Sequence, residues 1–156
     1  MSSGSNPCLR PNTWYTLSFY FRSKNPGHAW FGCGKRWQRR VYIKPTGDKW
    51  VRYHLTFKTD PDERYLEPRV NVDSQTDGLW IDSAQLVEGK KPKPFVVPKA
   101  LQPGEAVLEI KPLPIHPNLL ENGSFEKWRG RNPEGWYFDR RNTDATMTRD
   151  SSRAFH

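Results

Sequence analysis

From Trp50 to Lys58 the chain alternates without a slip, Val51, Tyr53, Leu55 and Phe57 against Arg52, His54, Thr56 and Lys58. A two-residue period of this kind sets the apolar side chains on one face of an extended strand and the polar ones on the other. A helix would scatter the same residues around its circumference, so the stretch restricts the fold before anything else is known. Residues 12–22 repeat the pattern, with Tyr15, Leu17, Phe19 and Phe21 against Thr16, Ser18, Tyr20 and Arg22, which predicts one buried face and one wet face. Shorter strands are predicted over 28–31, 37–43 and 69–73. They are separated by Asn25-Pro26-Gly27, Gly32-Cys33-Gly34, Pro45-Thr46-Gly47-Asp48 and Asp60-Pro61-Asp62-Glu63. No window carries helical periodicity. Short strands with turns at about every 8–12 residues predict an all-β fold, a sandwich or barrel of antiparallel strands.

Residues 78–89, GLWIDSAQLVEG, form the strand around which the others can be placed. It follows the turn signal Asp77-Gly78 and stops at Gly89, ahead of the Lys/Pro-rich run of residues 90–94. Leu79 and Ile81 share one parity, whereas Ala84 and Leu86 share the other. The inward face must therefore change near Asp82-Ser83, and a β-bulge does that. A carboxylate within such a strand is costly unless something charged or hydrogen-bonding meets it.

Charge narrows the range of partners. The net charge of +8 favours polyanions, nucleic acid or acidic glycan among them, and is equally met by a solvated basic surface. No apolar run is long enough to cross a bilayer, and residues 1–5 do not read as a signal peptide. Cys8 and Cys33, the only cysteines, have no His or Cys at ligand spacing, which argues against zinc; a disulfide between them is left open. Catalysis finds little support. Asp60, Asp62, Glu63 and Glu67 read as loop acids, no serine sits in a nucleophile elbow, and the four histidines are scattered, so no enzyme is expected.

The composition shifts at residues 96–117, where prolines recur and only AVLEIK at 106–111 could be a strand. This predicts a linker between residues 1–95 and residues 118–156. Two segments then carry a resemblance. Residues 118–126, NLLENGSFE, followed by Pro133-Glu134-Gly135-Trp136, resemble the opening of carbohydrate-binding modules of the cellulose- and xylan-binding jelly-roll type, families four and nine. Residues 12–20 resemble their middle strand, and residues 79–89 resemble their closing strand with its terminal Glu-Gly pair. The order departs from the family, because the closing half precedes the opening half. Either the chain holds the back of one module and the front of a second, or the front segment completes the sandwich begun by the back one, within the chain or in a neighbour. The resemblance thus implies an antiparallel jelly roll that is incomplete or completed by strand exchange.

In that family a structural calcium lies where the opening and closing strands meet, and the resemblance makes Asp82 and Glu126 the matching carboxylates. Calcium takes six to eight oxygens, so carbonyls plus one or two carboxylates suffice. The alternative for Asp82 is that it accepts hydrogen bonds from turn amides. Polysaccharide binding asks for aromatic faces with polar groups beside them. Trp30, Trp37 and Trp50 lie at strand starts or beside turns, where a ring can stay partly exposed; Arg36, Gln38, Arg39 and Arg40 are near in sequence and could address hydroxyls or uronates. Trp14, Trp80 and Trp136 read as packing. The same mixture of bases and aromatics grips single-stranded nucleic acid, but no RNA-binding signature or phosphate loop accompanies it. The expectation is non-catalytic polysaccharide binding by a secreted or surface protein. Its rival is a structural subunit of a fibre or surface layer assembled by strand exchange.

Overall fold

Phe31 meets Phe19 and Phe21 at ring-centroid separations of 5.3 and 5.6 Å, and two sheets close on each other around that contact. The computed structural model describes residues 8–34, 38–95, 118–120, 122–137 and 146–149. Its strands are β1 (Trp14–Arg22), β2 (Ala29–Cys33), β3 (Arg39–Tyr42), β4 (Val51–Lys58), β5 (Arg69–Val72), β6 (Trp80–Glu88), β7 (Trp128–Arg129) and β8 (Asn132–Pro133). All pairings between them are antiparallel, in a sheet ordered β4-β1-β6, a second ordered β3-β2-β5, and the small hairpin β7-β8. The fold is all-β and sandwich-like. No helix among the described residues is long and apolar enough to cross a membrane. The predicted strands are all present, each within a few residues of its expected bounds.

Alternation decides what enters the core. Tyr15, Leu17, Phe19 and Phe21 from β1 join Phe57 from β4 and Ala84 and Leu86 from β6. Facing them are Ala29, Phe31 and Cys33 from β2, with Val41 and Val70 packed alongside. Cys33 and Cys8 are both free thiols, the first buried and the second exposed. The bulge falls where the change of parity placed it. Ser18 pairs with Gln85 but Tyr20 pairs with Asp82, so β6 carries one residue more than β1 across this interval. Ser83 absorbs the difference with a φ of 50°, a left-handed conformation uncommon for a residue with a Cβ.

The outer face of the first sheet differs from the expectation of a wet surface. Thr16 and Ser18 are fully buried, because residues 89–94 cross over them. Thr16 donates to the carbonyl of Gly89 at 2.9 Å and Arg52 donates to that of Lys93 at 2.6 Å. Gln85 donates to the carbonyl of Pro94 at 3.3 Å. Arg52 is the hub of this face, giving a second hydrogen bond to Gln85 at 2.6 Å and a third to Ser18 at 2.9 Å. Burial lowers its pKa from the ordinary guanidinium value, an effect that Tyr20 opposes. Proline-rich carbonyls suit such a strap, since prolines keep the chain extended and leave its acceptors free.

Residues 118–120 and 122–123 lie along the edge of β6 that β1 leaves open. Leu119 donates its amide to the Leu86 carbonyl at 2.9 Å, and Ala84 donates to the Gly123 carbonyl at 2.5 Å. Leu120 is buried, with Leu119, Phe125 and Trp136 packed on the same core. Trp136 stands edge-on to Phe19 at 5.9 Å and meets Phe125 at 5.0 Å. Asn122 ties the intervening loop to the hairpin, donating to the Lys127 and Glu134 carbonyls at 2.7 and 2.9 Å. A free edge and an apolar flank are thus covered together, which removes a template for unwanted strand pairing.

Candidate functional site

β2 presents Ala29, Phe31 and Cys33 to the core, so Trp30 and Gly32 point outward, and the register of its neighbours builds a surface around them. Trp30 pairs with Tyr42 on β3 and with Asn71 on β5. Gly32 pairs with Arg40 on β3 and with Arg69 on β5. Directly paired residues share a face, so two cross-strand rows result, Tyr42–Trp30–Asn71 and Arg40–Gly32–Arg69. His28 and Asp73 make a third, joined by a backbone hydrogen bond of 3.0 Å.

Asp73 organises one end of this surface. Its carboxylate accepts the Trp30 indole N–H at 2.8 Å and lies 3.4 Å from His28 Nδ1, and Asn71 donates to its other oxygen. The indole is thereby fixed by its N–H. The Arg40 guanidinium lies 5.4 Å above the centre of the Trp30 ring, and the His28 ring meets Tyr42 at 4.9 Å. Tyr42 is 46 % exposed, so the ring keeps open surface beside its contact with His28. An exposed ring with an imidazole against it and a guanidinium two residues before it on the same strand offers an apolar platform with polar groups at its rim.

Of the residues expected to bind sugar, Arg40 and Trp30 share this face, and Gln38 is exposed just before β3. Trp30 was expected to keep a partly exposed ring; at 5 % exposure it serves as the floor, because Arg40 and the flanking strands cover it. Arg39, of the opposite parity, turns inward to Glu63 at 2.8 Å. Trp37 and Arg36 lie outside the described residues, as do the expected linker at 96–117 and its candidate strand. Trp50 belongs elsewhere. It precedes β4 in the other sheet, where it shares the Arg22 guanidinium with Trp80, at 5.4 and 4.6 Å from the two ring centres.

Sequence reasoning missed Tyr42, His28, Asn71, Arg69 and Asp73. The parity of Tyr42 with Arg40 was readable within the strand. The contribution of β5 was not, since nothing local says which strand flanks β2.

The calcium expectation can be tested on the donors themselves. Asp82 is buried and accepts the Ser83 amide at 2.5 Å, the hydrogen bond expected of the alternative reading. Glu126 is half exposed and lies 3.5 Å from Arg149. No group of three or more His, Cys, Asp or Glu side chains suited to a metal ion occurs among the described residues. The two carboxylates thus engage different partners, a backbone amide for Asp82 and Arg149 for Glu126.

Comparison with family models, with curated proteins and with solved structures finds no match to this chain.

Proposed function

We propose that this chain is a non-catalytic polysaccharide-binding module of jelly-roll kind, belonging to a secreted or cell-surface protein, and that the outer face of the β3-β2-β5 sheet is its binding surface. The observation that carries the reading is the row Tyr42–Trp30–Asn71 with Arg40 beside it. An exposed aromatic ring covers the C–H face of a pyranose, while the amide and guanidinium address its hydroxyls. A glycan array run with and without a chelator tests the proposal, with Tyr42→Ala as the matched variant. Binding to at least one polysaccharide, weakened by Tyr42→Ala, is expected, and the chelator arm reports whether a divalent cation takes part. A blank array ends the reading.

A second reading starts from a separate observation, the docking of Leu119 and Gly123 on the edge of β6. If that segment docks instead on the β6 of another copy, the chain is a structural subunit that builds a fibre or surface layer. Light scattering on purified protein separates the two readings. Polymers indifferent to sugar favour the second, and monomers that bind glycan favour the first.

A further inference from the structure

We propose that Asn122–Gly123 is a modification site, a deamidation point that stays quiet while its segment is seated on β6 and whose products no longer seat there. Asn-Gly occurs once in the chain. The reaction needs a reachable main-chain nitrogen after the asparagine, and glycine supplies one with no Cβ in the way and the widest backbone freedom. Asn6, Asn25 and Asn132 precede prolines, which carry no N–H, and the other asparagines precede Thr, Val or Leu. In the first step the Gly123 nitrogen attacks Cγ of Asn122. The Cγ–Nδ2 bond breaks, and Nδ2 leaves as ammonia with the proton that the Gly123 nitrogen gives up. Water then opens the cyclic imide at either carbonyl, which leaves aspartate or isoaspartate at position 122.

The fold opposes the first step. Asn122 Oδ1 accepts the Lys127 amide at 2.9 Å, and Nδ2 donates to the Lys127 and Glu134 carbonyls at 2.7 and 2.9 Å. Both ends of the carboxamide are thus held, and Cγ cannot swing over the Gly123 nitrogen until these bonds open. The main chain is held as well, since the Gly123 carbonyl accepts the Ala84 amide at 2.5 Å. Asn122 itself has a φ of 48°, a left-handed conformation that asparagine tolerates. The same contacts decide what the products do. Aspartate at 122 sets a carboxylate oxygen where Nδ2 donated to two carbonyls, so acceptors face acceptors and both bonds are lost. Isoaspartate adds a methylene to the main chain just before Gly123, where even a Cβ would stand 2.0 Å from the Ala84 carbonyl oxygen. Either product loosens Leu119 and Gly123 on β6, and with them Trp136 against Phe19. Each opening of the segment therefore carries a chance of becoming permanent, and a permanent opening leaves the β6 edge bare.

Peptide mapping by mass spectrometry tests this on the full chain, aged in heavy-oxygen water under native conditions and in urea. Deamidation at Asn122 is expected to run at least about tenfold faster in urea than in the folded protein, a factor set by how rarely the segment opens. Asn118→Ala removes two hydrogen bonds to β6 without touching the Asn122 carboxamide. It should speed the reaction in the folded protein by about tenfold and leave the rate in urea unchanged. Limited proteolysis should cut Asn122→Asp faster than the native chain within residues 122–137, while residues 14–58 stay protected. Equal rates in the folded and unfolded chain overturn the proposal, as does an absence of deamidation in urea. A rate in folded Asn118→Ala no higher than in the native chain overturns the coupling to β6, and Asn122→Asp cut no faster than native overturns the release. Should Asn122→Asp fail to fold, ageing the native chain until Asn122 has reacted and then digesting it supplies the same comparison.

Discussion

The side-chain carbonyl of Asn118 accepts the main-chain amide of Leu86 at 2.9 Å, and the same side chain donates to the carbonyl of Ala84 at 2.8 Å. One amide thus imitates a neighbouring strand, satisfying a donor and an acceptor on the open edge of β6. The relationship joins two segments far apart in sequence. It also orients Leu119 and Leu120, whose amides point to the Leu86 carbonyl and to Asn118 itself.

Asn118→Ala should therefore cost about 2 kcal/mol, the net worth of two part-buried hydrogen bonds plus part of the penalty for leaving their partners unmet. Urea unfolding followed by tryptophan fluorescence measures it. A change below about 0.5 kcal/mol would show that the edge contact contributes nothing.

Gly123→Ala is expected to be worse. A Cβ there would lie 2.0 Å from the Ala84 carbonyl oxygen and 2.8 Å from Asn118 Nδ2, so the segment must back away from β6. Overpacking of this order costs about 1–3 kcal/mol, with loss of the adjacent hydrogen bonds in addition. Limited proteolysis should cut the variant faster within residues 118–137, while residues 14–58 remain protected.

Glu63 should be intolerant of truncation. It is 8 % exposed, receives Arg39 at 2.8 and 2.9 Å, and accepts the Asp60 amide at 3.0 Å. Glu63→Ala leaves a largely buried guanidinium against Phe57 with only the half-exposed Asp60 carboxylate at 3.5 Å, a change worth about 3 kcal/mol. Thermal melts of Glu63→Ala and of the double variant with Arg39→Met check this; the double variant should recover part of the loss.

The two thiols should behave differently. Burial pushes the Cys33 thiol up to about 12, against a smaller opposing pull from Arg39. An aromatic disulfide reagent at pH 8 should titrate Cys8 alone in the folded protein and both thiols after denaturation. The folded state holds the Cys33 proton more tightly than the unfolded state does. Its contribution to stability is therefore complete below the ordinary thiol value of 9.0 and is lost as pH rises toward about 12. Denaturation midpoints measured across that alkaline range should fall, and less so in Cys33→Ala.

Arg52→Ala should loosen the strap over the first sheet. The substitution removes the donor to the Lys93 carbonyl and leaves Gln85 and Ser18 without that partner. Prolines follow Lys91 and Lys93, so the bond after Lys90 is the one within the strap that trypsin can use. Its cleavage should quicken by about tenfold, reflecting more frequent local opening.

Much of the candidate surface follows one rule applied strand by strand. Val41, between Arg40 and Tyr42, faces the core, so parity alone puts Arg40 and Tyr42 on one outer face. Parity does not report depth, however. Trp30 and Trp50 looked equivalent as rings near turns, yet one is the floor of the second sheet and the other flanks an arginine in the first. Thr16 and Ser18 alternated as solvent-facing residues should, but a strap that alternation cannot foresee crosses above them.

What the amino-acid order determined by itself was the class of structure. Period-two alternation and closely spaced turns leave extended strands as the way to bury these aromatics, and the parity break at Asp82-Ser83 already required a bulge. The tertiary structure decided which strands are neighbours, that Leu119 and Gly123 lie on β6, and that β3 and β5 bring Arg40 and Arg69 to opposite sides of Gly32. The reason is physical. Periodicity arises from contacts between residues close along the chain, whereas strand order, edge covering and the pairing of distant charges depend on how one core is shared by segments far apart in sequence.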